Sequence, residues 1–557
     1  MLDQNSSLAM GSPRFADARL ARLASEENIL SAWSAAFSSL AEKAANDVSG
    51  DFSVGLVASD GRTFLAIDRF AIRSMCYRMR DGQLHFAARA DELADTGTEI
   101  DPQAIYDYLY FHIIPSPRTI YKDIYRLPPG HYALFEHGQL TVAPYWIPTF
   151  NEQSDTSLGE LKDEFSHLLQ SAVARQLGVS KPACFLSGGT DSSTVVGMAA
   201  LASGETVATY SIGFDAKGYD EMVYARLASK HFKTEHHEYY VTPDDLVRSI
   251  PTVAAHYDQP FGNSSTLPAY YCAKMAHEDG VSKLLAGDGG DELFGGNTRY
   301  AKQRLLNWYG YIPDVLKKGL AEPLLVNRVT AAFTLSRKAA SYVEQASVPM
   351  PDRLQMYNLI THIGPSEVFT PDFLSQINTH IPLQIQRDVW QLPQNCSHLN
   401  KELAYDWRFT LAECDLPKVL GAGACAGVEV GFPMLEHQLF EFSLKLPSAY
   451  KLKGQQLRWF FKEALRGFLP DAIISKKKQG FGLPFGVWVN SHKPLNSLAS
   501  DSLSSLAKRG VVREDFIQTL LNKRLLEHSG YFGEMVWILM MLEQWLAAKR
   551  PCYTMNK

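Results

Sequence analysis

Residues 183–193, ACFLSGGTDSS, close a short apolar run with two glycines and a string of hydroxyl and carboxylate side chains, and a helical pattern begins after Asp191. A chain that leaves a strand through so tight a turn into a helix crosses one face of a sheet before it can pair again, so the pairing it reaches is parallel. Neighbouring segments repeat the alternation. A helix is predicted over 158–177 (LGELKDEFSHLLQSAVARQL), a strand over 206–214 (TVATYSIGF), a helix over 220–232 (DEMVYARLASKHF) and a strand over 236–241 (HHEYYV). Strands separated by helices of this length predict an α/β architecture whose parallel sheet is covered on both faces.

The turn suits an anion. Gly188 and Gly189 let the backbone approach a ligand, exposed N–H groups and the positive end of the next helix favour negative charge, and Ser187, Ser192 and Ser193 add hydroxyl donors. No GKS or GKT follows, so this is not the common lysine-bearing phosphate loop. A pyrophosphate cradle without that lysine suits attack at the α-phosphate of ATP, with AMP transferred and pyrophosphate leaving. Asp191 is then free to hold Mg²⁺. A flexible turn capped by serine or aspartate is the plain alternative. Against it stands a second constellation, LLAGDGGDELFGG at 284–296, which sets glycines and the carboxylates of Asp288, Asp291 and Glu292 behind another apolar run. Strand ends of a parallel sheet share one edge, and ligands bind there where the strand order reverses. The spacing does not match an EF-hand calcium loop.

Ahead of this region, residues 50–146 read as strands, with DG at 60–61 and at 81–82 as hairpin turns. A linker is read near residue 150, where PYWIPTF gives way to NEQSDTSLGE, dividing the chain into domains 1–150 and 151–557. Beyond about residue 300 the pattern is helical, and the closing stretch YFGEMVWILMMLEQWLAA (531–548) is expected to be a buried helix rather than a membrane span. The aromatic run YDYLYFHIIP (106–115) is expected to pack the core of the first domain. A net charge of −6 gives no reason to expect nucleic acid or an anionic membrane as partner. Seven scattered cysteines without a CxxC exclude a disulfide framework or zinc knuckle, and residues 1–25 lack signal-peptide features, so a cytoplasmic protein is expected. In Glu235-His236-His237-Glu238 a strand would point the two histidines to opposite faces, which argues for an edge strand over a metal site.

With both turns in place, the sequence resembles the asparagine synthetase family of ATP-pyrophosphatase enzymes over most of residues 27–550. The resemblance rests on SGGTDSS, on YSIGF followed by YDE, on DQPFGNSSTLPAYY (258–271), on GDGGDELFGG and on KKKQGFGLPFG (476–486). It implies a reduced glutaminase-like, β-rich N-terminal domain of Ntn type, followed by a synthetase domain built on a nucleotide-binding parallel sheet with a helical C-terminal part. It also implies the reaction, in which a carboxylate attacks the α-phosphate of ATP and an amine then displaces AMP. Carried over residue by residue, Ser187, Gly188, Gly189, Asp191 and Ser192 match the pyrophosphate loop, and Asp191 with Asp291 match the Mg²⁺ carboxylates. Leu186, Ile212, Ala286 and Gly287 match positions that receive the adenosine, Asp288 the group that helps deprotonate the amine, and Lys478 the lysine that supports developing negative charge.

Two departures shape the expected substrate. Glutamine-using members begin Met-Cys, whereas this sequence begins Met1-Leu2 and its first cysteine is Cys76, so glutamine hydrolysis is not expected. In KVLGAGACAGVEVGFPMLE (418–436), Leu420, Gly421 and Gly431 stand where asparagine-forming members carry an aspartate-arginine pair and a further arginine. Lost guanidinium clamps make free aspartate a poorer substrate, and Gly421, Gly423 and Gly427 are expected to leave room for a larger acid. The pattern resembles relatives that use an amine on the substrate itself, such as lasso peptide cyclases and β-lactam synthetases. The expected protein is therefore an ATP-dependent amide ligase of cyclase type, acting on a small molecule or peptide that carries both carboxylate and amine. An asparagine synthetase fed by ammonia or an external glutaminase, and a non-catalytic nucleotide-binding module, are the alternatives. A homodimer or a partner biosynthetic protein is left open.

Overall fold

The computed structural model describes residues 6–153, 155–177, 181–309, 334–477 and 482–555. Its first part is a five-stranded antiparallel sheet in the order β1 (Leu8–Gly11), β2 (Phe52–Val57), β3 (Thr63–Ile67), β4 (His131–Glu136), β5 (Gln139–Pro144). Alternation along β3 sends Phe64 and Ala66 to one face, where they meet Trp33 and Phe37 of α1 (Ile29–Leu40), while Leu65 and Ile67 pack under the hairpin of Cys76–Arg80 and Gln83–Ala87. That hairpin turns through Asp81 (φ 51°) and Gly82 (φ 73°), the two left-handed residues of the turn read from DG.

The second part carries the alternation seen in the sequence. Its five strands, all parallel, run in the order β8 (Glu235–Val241), β7 (Ala208–Phe214), β6 (Ala183–Phe185), β9 (Lys283–Leu285), β10 (Glu429–Gly431). From β6 the chain builds outward to β7 and β8 on one side, then returns to place β9 on the other. The strand order therefore reverses between β6 and β9, and both glycine turns leave from that point. The three-residue β10 falls in a zone read as helical, because three residues carry no period that a sequence can display.

The C-terminal helix, Ser529–Lys549, is apolar nearly all round: Met535 to Leu542, Trp545 and Leu546 are all buried. Each such Leu, Ile or Met contributes roughly 1.5–3 kcal/mol over leaving it exposed. Its indoles donate to Gly262 O (Trp537, 2.9 Å) and Tyr257 O (Trp545, 3.1 Å). Tyr108 donates to Ile538 O at 2.9 Å, and Tyr106, Tyr108 and Leu109 share one apolar cluster with this helix. The aromatic run at 106–115 thus packs a core common to both halves of the chain rather than one private to the first. Among the described residues, no helix is long and apolar enough to cross a membrane.

Candidate active site

The SGGTDSS turn is held by its own backbone and hydroxyls. Leu186 N–H donates to Tyr210 O at 2.9 Å, carrying the pairing one residue past β6. Gly188 then turns through φ +71°, where any Cβ would lie 2.4 Å from Ala225 N, so no other residue fits. Gly189 caps α2 (Thr190–Ser203), and the Ser187 and Ser192 hydroxyls sit 3.0 Å apart across the turn. The second turn closes against the first: a Cβ at Gly287 would stand 2.7 Å from Ser192 N. The two motifs, so far apart in the chain, thereby form one surface.

Between them opens a cleft of about 1140 Å³. Leu186, Ser187, Gly189, Asp191, Ser192, Ile212, Gly287, Asp288 and Asp291 all line it; Gly188 and Ala286, expected with them, are buried and do not line it. Lys478 lies outside the described residues. Of the preceding lysines, Lys476 is largely buried, 2.9 Å from Glu221 and over the Tyr224 ring at 4.4 Å.

Three further residues complete the electrostatics, and sequence reasoning gave none of them a role. Arg458 enters from the far end of the chain and donates from Nη1 to Asp191 Oδ2 at 2.9 Å, with Asp291 Oδ1 also at 2.9 Å. Burial lowers its guanidinium to about 9. Lys418 Nζ lies 2.9 Å from Asp415 Oδ1 and 3.5 Å from Asp288 Oδ1. Burial pushes Asp288 above the ordinary carboxylate range and Lys418 pulls it back in part. Glu292 beside them is pushed up to about 8 by burial and by the charges of Asp415 and Asp406. Asp415 ends a nine-residue π-helical stretch, Trp407–Asp415, that leads into the helix Leu416–Ala426 carrying Lys418. Wide turns of this kind recur at functional sites. The deviation left no mark in the sequence pattern, because π and α turns bury similar stripes.

The glycine-rich departure acts differently from expectation. The Tyr257 ring fills the place of a side chain at Gly421, 2.4 Å from the position of its Cβ. Gly423 packs against Val428 O, Gly427 caps the helix, and Leu420 joins the core. These glycines serve close packing and add no room to the cleft. Gly431 faces a separate cavity of about 120 Å³, lined also by Arg14, Arg73, Arg175 and Glu436. On β8, His236 meets Thr209 Oγ1 at 2.9 Å while His237 stacks on Tyr210, each on its own side of the edge strand.

A parallel sheet with two interlocked glycine turns, carboxylates and buried cations at its reversal point defines an ATP-dependent carbon–nitrogen ligase, in keeping with the relatives below. Residues 164–547 match the asparagine synthase family and residues 26–146 the glutamine amidotransferase domain. The chain belongs to the asparagine synthase family. It is 24% identical over 516 residues to asparagine synthetase (glutamine-hydrolyzing) 1 of Bacillus subtilis, covering 90% of this chain and 78% of that protein. A candidate asparagine synthetase (glutamine-hydrolyzing) of Mycobacterium bovis is 23% identical over 72% of this chain, which spans 60% of that protein. A candidate asparagine synthetase (glutamine-hydrolyzing) 2 of Methanocaldococcus jannaschii is 32% identical over 46% of this chain and 51% of its own length.

Proposed function

We propose that the chain adenylates a substrate carboxylate with ATP and joins it to an amine carried by the substrate itself, closing an amide ring. The observation that supports this most is the continuity of the cleft. The glycine turn with Asp191 and Asp291 shares one space with the Asp288–Lys418–Asp415 group, so activation and aminolysis need no transfer between sites.

In the first step a carboxylate oxygen attacks the α-phosphorus, the bond to the bridging oxygen breaks and pyrophosphate leaves. In this reading backbone N–H groups of the turn, the Ser187 and Ser192 hydroxyls and the Arg458 guanidinium, which share one cleft, would meet the negative charge that gathers on the phosphates. The carboxylates of Asp191 and Asp291 each approach the same Arg458 nitrogen at 2.9 Å, so their oxygens converge as hard-cation ligands must. That geometry fits Mg²⁺, which would neutralise the triphosphate. Among the described residues no group of three or more His, Cys, Asp or Glu could hold a metal alone, so phosphate oxygens and water would complete its shell.

In the second step the amine nitrogen attacks the acyl carbon, the carbon–nitrogen bond forms, and the bond to AMP breaks. Asp288 takes the proton that an ammonium must lose before it becomes nucleophilic, and its raised proton affinity suits that task. Lys418 favours the ionised, proton-accepting form of Asp288 against the effect of burial. Lys478 is assigned to the charge developing on the phosphate and tetrahedral oxygen.

The one cysteine within residues 1–150 does not suit glutamine hydrolysis, and this reading takes the amine from the substrate. Cys76 is the one cysteine in residues 1–150; it is fully buried, and burial pushes its thiol well up. A thiol so placed is inert as a nucleophile.

The deciding experiment incubates the purified chain with ATP, Mg²⁺ and candidate amino-acid or peptide acids, following AMP and pyrophosphate together with product mass. A product lighter by one water, formed without added ammonia, supports ring closure. A product that exchanges hydroxyl for amino only when ammonia is supplied points to simple amidation. Formation of ADP and orthophosphate contradicts the adenylation chemistry.

A further inference from the structure

Arg458 follows a small hairpin, Leu452–Lys453 with Gln456–Leu457, and begins the helix Trp459–Ala464. Its backbone takes a left-handed turn (φ 55°), its N–H donates to Gly295 O at 3.2 Å, and its guanidinium lies over the Phe461 ring at 4.3 Å. The side chain is only 5% exposed, enclosed by these partners. Nη1 stands 2.9 Å from Asp191 Oδ2, 2.9 Å from Asp291 Oδ1 and 2.8 Å from Thr190 Oγ1, while Nη2 bonds the other oxygen of Asp191. A cation held at about 2.1 Å by both carboxylates would occupy the ground of that nitrogen, so metal and guanidinium exclude one another.

We propose that Arg458 is an internal counter-ion: it holds the two metal-binding carboxylates in the resting enzyme and releases them only when a divalent cation arrives together with a polyphosphate. The inference rests on the assignment of Asp191 and Asp291 as metal ligands. Two carboxylates brought this close need a cation, since like charges in a half-buried place repel. A bare metal ion must displace Arg458 and strand a buried guanidinium, which opposes binding. A metal carried by a triphosphate brings its own partner for the displaced group, because a guanidinium pairs with phosphate as readily as with carboxylate. Metal and nucleotide then load as a pair, and by linkage each raises the affinity for the other. Bare cations are kept off the site, and Asp191 and Asp291 stay oriented for the next turnover. Arg458 is in this sense a positioning residue, distinct from the groups that exchange protons with substrate.

The test measures Mn²⁺ binding to the full chain without nucleotide, by the electron paramagnetic resonance signal of the free ion, alongside thermal melting. Arg458→Met is expected to bind Mn²⁺ about tenfold or more tighter than the unaltered protein. Its melting temperature, lowered because two carboxylates lose their partner, is expected to recover further on adding Mn²⁺ than that of the unaltered protein. Arg458→Lys keeps a point charge, falls between the two, and serves if the methionine variant does not fold. Equal Mn²⁺ affinity in the unaltered protein and the variants overturns the counter-ion role. If Mn²⁺ binds no form, or if adding Asp191→Asn to Arg458→Met leaves Mn²⁺ binding unchanged, the metal-ligand assignment itself falls.

Discussion

Lys418 Nζ stands 3.5 Å from Asp288 Oδ1, so the carboxylate assigned to take a proton from the amine has a fixed cation at its side. The separation is longer than a strong ion pair, and Asp415 holds Lys418 more closely at 2.9 Å. Asp288 therefore feels Lys418 as a field rather than as a tight partner.

The pH profile of amide formation should carry this field. Asp288 accepts a proton only when ionised, so kcat/KM is expected to rise with pH through a value above the ordinary carboxylate range, since burial raises this group. Lys418 opposes that shift, so Lys418→Met is expected to move the rise to higher pH. An unmoved profile in the variant would show that Lys418 does not act on the proton acceptor.

Asp291→Asn, Asp191→Asn and Lys478→Ala are each expected to lower pyrophosphate release by about 100-fold or more, the scale on which single electrostatic groups act in such steps. Melting curves should show folded protein in each case. Turnover near normal in any of the three would remove that residue from its assigned role.

Gly421→Ala tests the packing reading of the glycine-rich helix. Its Cβ would meet the Tyr257 ring at 2.4 Å, and that ring is pinned by stacking on Phe261 (4.8 Å) and by bonds of its hydroxyl to Pro417 O and Lys418 O at 3.3 Å each. A loss of about 1–3 kcal/mol of stability is expected. A variant as stable as the parent with a wider substrate range would restore the view that this helix leaves room for substrate.

Glu413 ties the first half of the chain to the π-helical stretch that positions Asp415. Its carboxylate accepts from Arg126 at 2.5 Å and from the Ser116 hydroxyl at 2.6 Å, and lies 3.2 Å from Arg408. Burial would raise this group, but the two arginines outweigh burial and hold it below its ordinary value. A carboxyl lowered in the folded state adds stability that is present above its unfolded pKa of about 4.3 and is lost as pH falls through the lower folded value. Glu413→Gln is expected to cost about 3–5 kcal/mol at neutral pH, as breaking a buried pair does, and to flatten the acid limb of the stability curve. Denaturant titrations at several pH values measure both.

The parts legible in the sequence were those whose instructions are contiguous. The alternation around 183–241 follows from apolar periodicity, the turn at Asp81-Gly82 from local backbone preference, and the two glycine turns at the cleft from glycines set directly behind apolar runs. The strand β10 and the π-helical stretch escaped because three residues, or one widened turn, leave no periodic trace. Gly421 was misread for a different reason: a missing side chain looks like space until the ring that fills it is seen.

From its sequence alone, the chain determined that it would build a parallel sheet with glycine turns at its strand ends and belong to a ligase family, because strand, turn and helix propensities act between near neighbours. Only the tertiary structure decided which charges meet there. Arg458 lies 267 residues from Asp191 and Lys418 lies 130 from Asp288. Nothing local distinguishes either cation from a surface residue. Their partners are set when separate elements pack and the low-dielectric interior penalises a buried charge left without a partner.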